Sequence, residues 1–186
     1  MMAGILLVDR DGTLIVERNY IADAEQVELL PGVAEGLKQF RAAGFKVAVI
    51  TNQSGLGRGY FTVYQMNEVN RRMCDLLAAR GTTVDGIYHC PHVPADSCAC
   101  RKPKTELARR AVQDMGGDCS RIICVGDKAI DIEMGRGVGA ATVLVLTGYG
   151  AEELASGRAK PDRVAPDFRA VAQLVGITDR GPAGCQ

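Results

Sequence analysis

Neither sign of charge is in surplus in this sequence: 22 Lys and Arg face 22 Asp and Glu. A balanced chain has no basic field with which to hold a polyanion, which argues against duplex nucleic acid as its main partner. Tryptophan is absent, and the five Tyr and four Phe form no aromatic-studded basic stripe of the kind a single-strand binder uses. No apolar run approaches the roughly 20 residues that a bilayer crossing requires. Met1-Met2-Ala3-Gly4 runs straight into an apolar strand, without the basic segment and apolar core of a secretory leader. The expected setting is the cytoplasm, with no membrane partner. Internal repeats are lacking, as is a linker or insertion long enough for a second domain or a cap. With 186 residues, one domain with a full core is expected over residues 1–177, with a flexible tail at 178–186. A monomer is expected.

What is present is an alternation of strands and helices. Ile5 to Val8 reads as a buried strand, and Pro31 opens a helix with Val33, Leu37 and Phe40 on one face, ended by Gly44. Phe45–Thr51 is the next strand. Thr62 caps a long helix striped by Met66, Val69, Met73, Leu76 and Leu77 and closed by Gly81. Strands are predicted at Val84–Tyr88, Arg121–Val125 and Ala141–Leu146. Helices are predicted at about 105–115, at Ile130–Arg136 as a turn or two, near 151–156 and near 167–175. Such alternation makes an α/β fold, a Rossmann-like parallel sheet with helices on both faces.

Ligands in such a sheet bind beyond the carboxyl ends of the strands. There the first strand delivers Asp9 and Asp11, two carboxylates that suit a hard divalent cation and leave one free to attack a substrate. Thr51-Asn52-Gln53-Ser54-Gly55 follows the second strand in the same way and can bind phosphate oxygens. Gly55 to Phe61 continues as a mobile loop, whose Arg58 either reaches a substrate anion or is merely exposed. Arg101-Lys102-Pro103 precedes a helix, with Pro103 suited to its first turn and Lys102 to neutralising a transferring phosphoryl group. Asp127 closes a third strand, and Asp9 with Asp127 makes an oxygen-rich Mg²⁺ site completed by waters, a backbone carbonyl and substrate phosphate. Asp131, one helical turn on, has the alternative of being only a helix cap.

The seven cysteines are an odd number, and three of them crowd into Cys90–Cys100. In a cytosolic chain this points to metal more than to disulfides. Cys90, His92, Cys98 and Cys100 can close a tetrahedron round Zn²⁺ with no position left for substrate water, so the zinc is structural. His92 is preferred to the adjacent His89 because it shares a side of an extended segment with Cys90. Cys74 and Cys124 fall on apolar patterns and read as core.

D-R-D-G-T, T-N-Q-S-G, R-K-P and G-D-K-x-x-D, in this order, resemble the haloacid dehalogenase superfamily over about residues 4–150. The resemblance implies Asp9 as nucleophile, Asp11 as general acid–base, and Thr51 and Lys102 as holders of the phosphoryl group. It implies that Asp127 binds Mg²⁺ with the carbonyl of Asp11, and that Asp131 steadies Lys102 or metal-bound water. C-P-H and C-x-C-R-K-P, with no cap, are similar to the branch of heptose-bisphosphate and histidinol phosphatases. The missing dehydratase domain inclines the resemblance to the heptose enzymes, which act on a phosphorylated sugar bound for lipopolysaccharide or related glycans. Arg58 and Arg101 would then serve the distant second phosphate, and Asn52 and Gln53 the substrate. Histidinol phosphate and a DNA 3′-end are the competing substrates.

Overall fold

The computed structural model describes residues 4–116 and 121–177, so the tail expected at 178–186 lies outside the described residues. Six parallel strands form one sheet: β1 (Gly4–Val8), β2 (Phe45–Asn52), β3 (Gly86–Cys90), β4 (Ile122–Gly126), β5 (Ala141–Val145) and β6 (Arg163–Ala165). Their order across the sheet is β3-β2-β1-β4-β5-β6. The helices are α1 (Val33–Ala42), α2 (Ser54–Gly57), α3 (Val63–Ala78), α4 (Glu106–Met115), α5 (Ala129–Gly137), α6 (Gly150–Ala155) and α7 (Phe168–Leu174).

The pleat of β1 divides the core. Leu6 and Val8 point to one face, where Leu37 and Phe40 of α1, Val69 and Met73 of α3, and Phe168 and Val171 of α7 join them. Ile5 and Leu7 point to the other, against Leu107, Ala108 and Ala111 of α4 and Met134 of α5. A central strand buried on both faces has no polar alternation, which is why Gly4–Val8 reads as a continuous apolar run. Strand order reverses between β1 and β4, whose register pairs Val8 with Val125. The crevice beyond their carboxyl ends therefore receives Asp9 and Asp127 side by side.

Several boundaries differ from the sequence reading for identifiable reasons. β3 starts at Gly86 because the Asp85 carboxylate accepts the Val47 amide at 2.7 Å and ends the pairing there. α4 starts at Glu106, so Pro103 is not in its first turn. The Asn52 side chain holds Lys102 by both backbone groups, at 3.0 and 3.2 Å, and so ties this stretch to β2. Residues Gly55 to Phe61 are not simply a loop. Ser54–Gly57 forms a helical turn whose Gly57 amide donates to the Pro91 carbonyl at 3.0 Å. α5 is nine residues long rather than a turn or two, and β6, of three residues, lacks any readable pattern.

Candidate active site

Lys102 organises the centre. Its ammonium donates to Asp9 Oδ1 at 2.6 Å and to the Ile50 carbonyl at 2.7 Å, and makes an ion pair with Asp131 Oδ1 at 2.7 Å. The side chain is fully buried. Burial alone would favour the neutral amine, but the carboxylates of Asp131 and Asp9 outweigh it and raise its pKa. Asp131 Oδ2 accepts the Lys128 amide at 3.1 Å, while its Oδ1, without a hydrogen bond among the described residues, is held by the charge of Lys102. It is both helix cap and partner of Lys102.

Asp127 is in a different condition. Its Oδ2 accepts the Tyr149 amide at 2.9 Å, while Oδ1 is buried without a partner among the described residues. Burial first, then the neighbouring Asp9 and Asp131 carboxylates, push its pKa up to about 8. A buried, unpartnered carboxylate oxygen is costly unless a proton or a cation meets it. Carboxylate oxygens of Asp9, Asp127 and Asp131 lie within 4.8 Å of one another, an all-oxygen set that fits a hard divalent ion such as Mg²⁺. Gly12 (φ +83°) completes the cradle: a Cβ there would fall on the Asp127 carboxylate.

Asp11 stands beside Asp9 on the wall of a cleft of about 310 Å³. Its Oδ2 accepts from Gln53 Nε2 at 2.9 Å and from Thr51 Oγ1 at 3.5 Å, which places the end of β2 against the end of β1. Asn52, Gln53, Arg101 and Lys102 also line the cleft. Arg58 is exposed and is not among the residues lining the cleft.

Cys90, His92, Cys98 and Cys100 converge, their donor atoms all within 4.8 Å of one another. Cys100 Sγ is 3.2 Å from Cys90 Sγ and 3.6 Å from Cys98 Sγ, and His92 Nδ1 is 3.3 Å from Cys100 Sγ and 3.6 Å from Cys90 Sγ. Ligands about 2.0–2.3 Å from a tetrahedral zinc stand about 3.5–3.8 Å apart. The donors here, 3.2–3.6 Å apart, come within a few tenths of an ångström of that spacing, and three thiols with one imidazole are the donor set zinc takes. His89 is not in the cluster. It sits in β3 beside Thr51, and burial, then the Arg10 charge, lower its pKa. Arg101 donates to the His92 carbonyl at 3.1 Å, joining this cluster to the cleft.

Sequence reasoning missed several cleft residues. Arg10 is buried against the Asp11 carboxylate, and its position inside D-R-D is a signal. Lys128 pairs with Glu17 at 3.1 Å and lies 4.6 Å above the Tyr149 ring. Tyr149 in turn donates to Asn19 at 3.1 Å. The Lys128–Glu17 and Tyr149–Asn19 contacts join residues more than a hundred positions apart, and no local pattern announces them.

A HAD-hydrolase-like family profile matches residues 99–171. A D-glycero-β-D-manno-heptose-1,7-bisphosphate 7-phosphatase of Pseudomonas aeruginosa is 36% identical over 94% of this chain and 99% of its own. The enzyme of the same name from Pasteurella multocida is 38% identical over 79% and 84%. Among solved structures, a D,D-heptose 1,7-bisphosphate phosphatase from B. bronchiseptica, complexed with magnesium and phosphate, superposes with a TM-score of 0.86. It is 34% identical, over 92% of this chain and 97% of that one. A fold of this order with carboxylates at adjacent strand ends defines a HAD-like hydrolase, and the chain belongs to that superfamily, within its family of heptose-1,7-bisphosphate 7-phosphatases.

Proposed function

We propose that this protein is a Mg²⁺-dependent phosphoric monoester hydrolase that removes the C7 phosphate of D-glycero-D-manno-heptose 1,7-bisphosphate. The observation that carries the reading is the unpartnered buried oxygen of Asp127 beside Asp9 and Lys102. The relatives' names supply the substrate and favour it over histidinol phosphate and a DNA 3′-end. Asp9 and Asp127, with the Asp11 carbonyl, hold Mg²⁺, which when bound neutralises charge on the phosphoryl oxygens.

Asp9 attacks phosphorus through a carboxylate oxygen, forming an acyl phosphate as the P–O7 bond breaks. The electron pair stays on the departing sugar oxygen, which takes a proton from Asp11. Asp11, now a carboxylate, removes a proton from the water that attacks phosphorus and frees Asp9. Lys102 keeps Asp9 aimed and offers its charge to the transferred group, and Thr51 steadies the same group. Asn52, Gln53 and Arg101 hold the rest of the sugar bisphosphate. Cys90, His92, Cys98 and Cys100 bind a structural zinc that braces the loop carrying Arg101. The domain spans residues 1–177 and acts as a cytoplasmic monomer.

Phosphate release from both anomers of the heptose bisphosphate, histidinol phosphate and a 3′-phosphorylated oligonucleotide tests the reading, with Asp9→Asn as blank. One heptose anomer is expected to show the highest kcat/KM, and the blank no turnover. A higher kcat/KM for histidinol phosphate overturns the substrate. Turnover by the blank overturns the mechanism.

A further inference from the structure

α3 packs on the sheet through Met66, Val69, Met73 and Leu77, yet beside this apolar stripe it also buries the amide of Asn70. The Asn70 Oδ1 accepts a 2.7 Å hydrogen bond from Arg10 Nη1. Arg10 is itself 1% exposed. Its Nε reaches Asp11 Oδ2 and its Nη2 reaches Asp11 Oδ1, both at 3.1 Å. Burying a guanidinium is unfavourable unless geometry and pairing are good, and a two-pronged contact fixes the plane of the carboxylate it grips. With Gln53 also on Oδ2, Oδ1 is the oxygen of Asp11 left with a lone pair uncommitted to Arg10 or Gln53.

We propose that Asn70 is a positioning residue for proton transfer: it anchors Arg10, whose fork holds Asp11 Oδ1 toward the departing oxygen. The inference rests on the reading of Asp11 as the acid that protonates the leaving group. As the P–O bond breaks, the bonding pair remains on oxygen and the proton passes to it from Oδ1. A loosened fork leaves attack by Asp9 in place but slows departure of any group that needs that proton.

Two probes of nearly the same size separate this role from a structural one. Phenyl phosphate has the poorer leaving group and needs the proton more, whereas p-nitrophenyl phosphate needs it less. The ratio of their kcat/KM values reports the steps up to departure of the leaving group. Asn70→Leu removes the acceptor, Arg10→Lys keeps the charge without the fork, and Asp11→Asn serves as reference. The phenyl to p-nitrophenyl ratio is expected to fall about ten-fold or more in both variants, in the direction set by Asp11→Asn. Damage to the fold alone lowers both probes equally. An unchanged ratio in whichever variant is soluble, beside a lowered one in Asp11→Asn, overturns the inference and spares the reading of Asp11. An unchanged ratio in Asp11→Asn itself overturns both.

Discussion

Asp127 carries the sharpest consequence at the scale of single residues. Its carboxyl, held up at about 8 mainly by burial, binds a proton in the folded metal-free protein over a range where the unfolded chain, near its ordinary value of about 3.9, has lost it. More protons on the folded side means that stability falls as pH rises from about 4 toward about 8 and levels off above it. Asp131, pushed up to about 6 by burial against the pull of Lys102, adds the same sign at lower pH. Between about 6 and about 8, thermal unfolding in EDTA should show the melting temperature of the wild type declining with pH. Asp127→Asn should show less decline, and saturating Mg²⁺ should flatten the wild-type curve by replacing the proton. Parallel wild-type and Asp127→Asn curves in EDTA would contradict this account.

Among the elements, α3 shows how firmly local chemistry can specify a boundary. Thr62 accepts the Gln65 amide at 3.2 Å, and the Gln65 side chain returns to the Thr62 amide at 2.9 Å. Thr62→Ala should cost about 1 kcal/mol, read as a lower urea midpoint with an unchanged slope. An unchanged midpoint would show that tertiary packing alone sets this end. The same logic explains what was legible beforehand. β1 was readable because a strand buried on both faces is apolar throughout, β2 because only Lys46 interrupts its apolar run before Thr51, and α1, α3 and α4 because one stripe faces the sheet. Asp9, Asp11, Lys102 and Asp127 stood out because each follows or precedes a regular element. The start of β3 was not legible, since it depends on the Asp85 side chain meeting β2. Nor was the rim formed by Glu17, Asn19, Lys128 and Tyr149, whose contacts exist only after the sheet has brought distant loops together.

At the scale of the whole molecule, the cysteine cluster links an otherwise thin loop to the cleft through Arg101 and the His92 carbonyl. Bound metal at such a cluster contributes directly to folding. Protein made with zinc available should carry one zinc per chain by elemental analysis. Cys98→Ser and Cys100→Ser should lose that zinc, melt at lower temperature and bind the heptose bisphosphate more weakly, while p-nitrophenyl phosphate turnover falls less. Wild-type protein free of zinc, with an unaltered melting temperature in both variants, would refute the structural role.

The strand order bears on how the chain comes to exist at all. β1 precedes the other five strands in the chain but lies inside the sheet, and its second neighbour, β4, is synthesised only at residues 122–126. Until then one edge of β1 has no native partner, so a growing chain holds an unsatisfied edge over the more than a hundred residues between β1 and β4. Asp9 likewise waits for Asp127, and Asp127 for the amide of Tyr149. Pairings of such sequence separation form slowly. Catalytic competence is therefore a late event in the life of each molecule, and a chain released before Tyr149 lacks the amide that holds the Asp127 carboxylate in place.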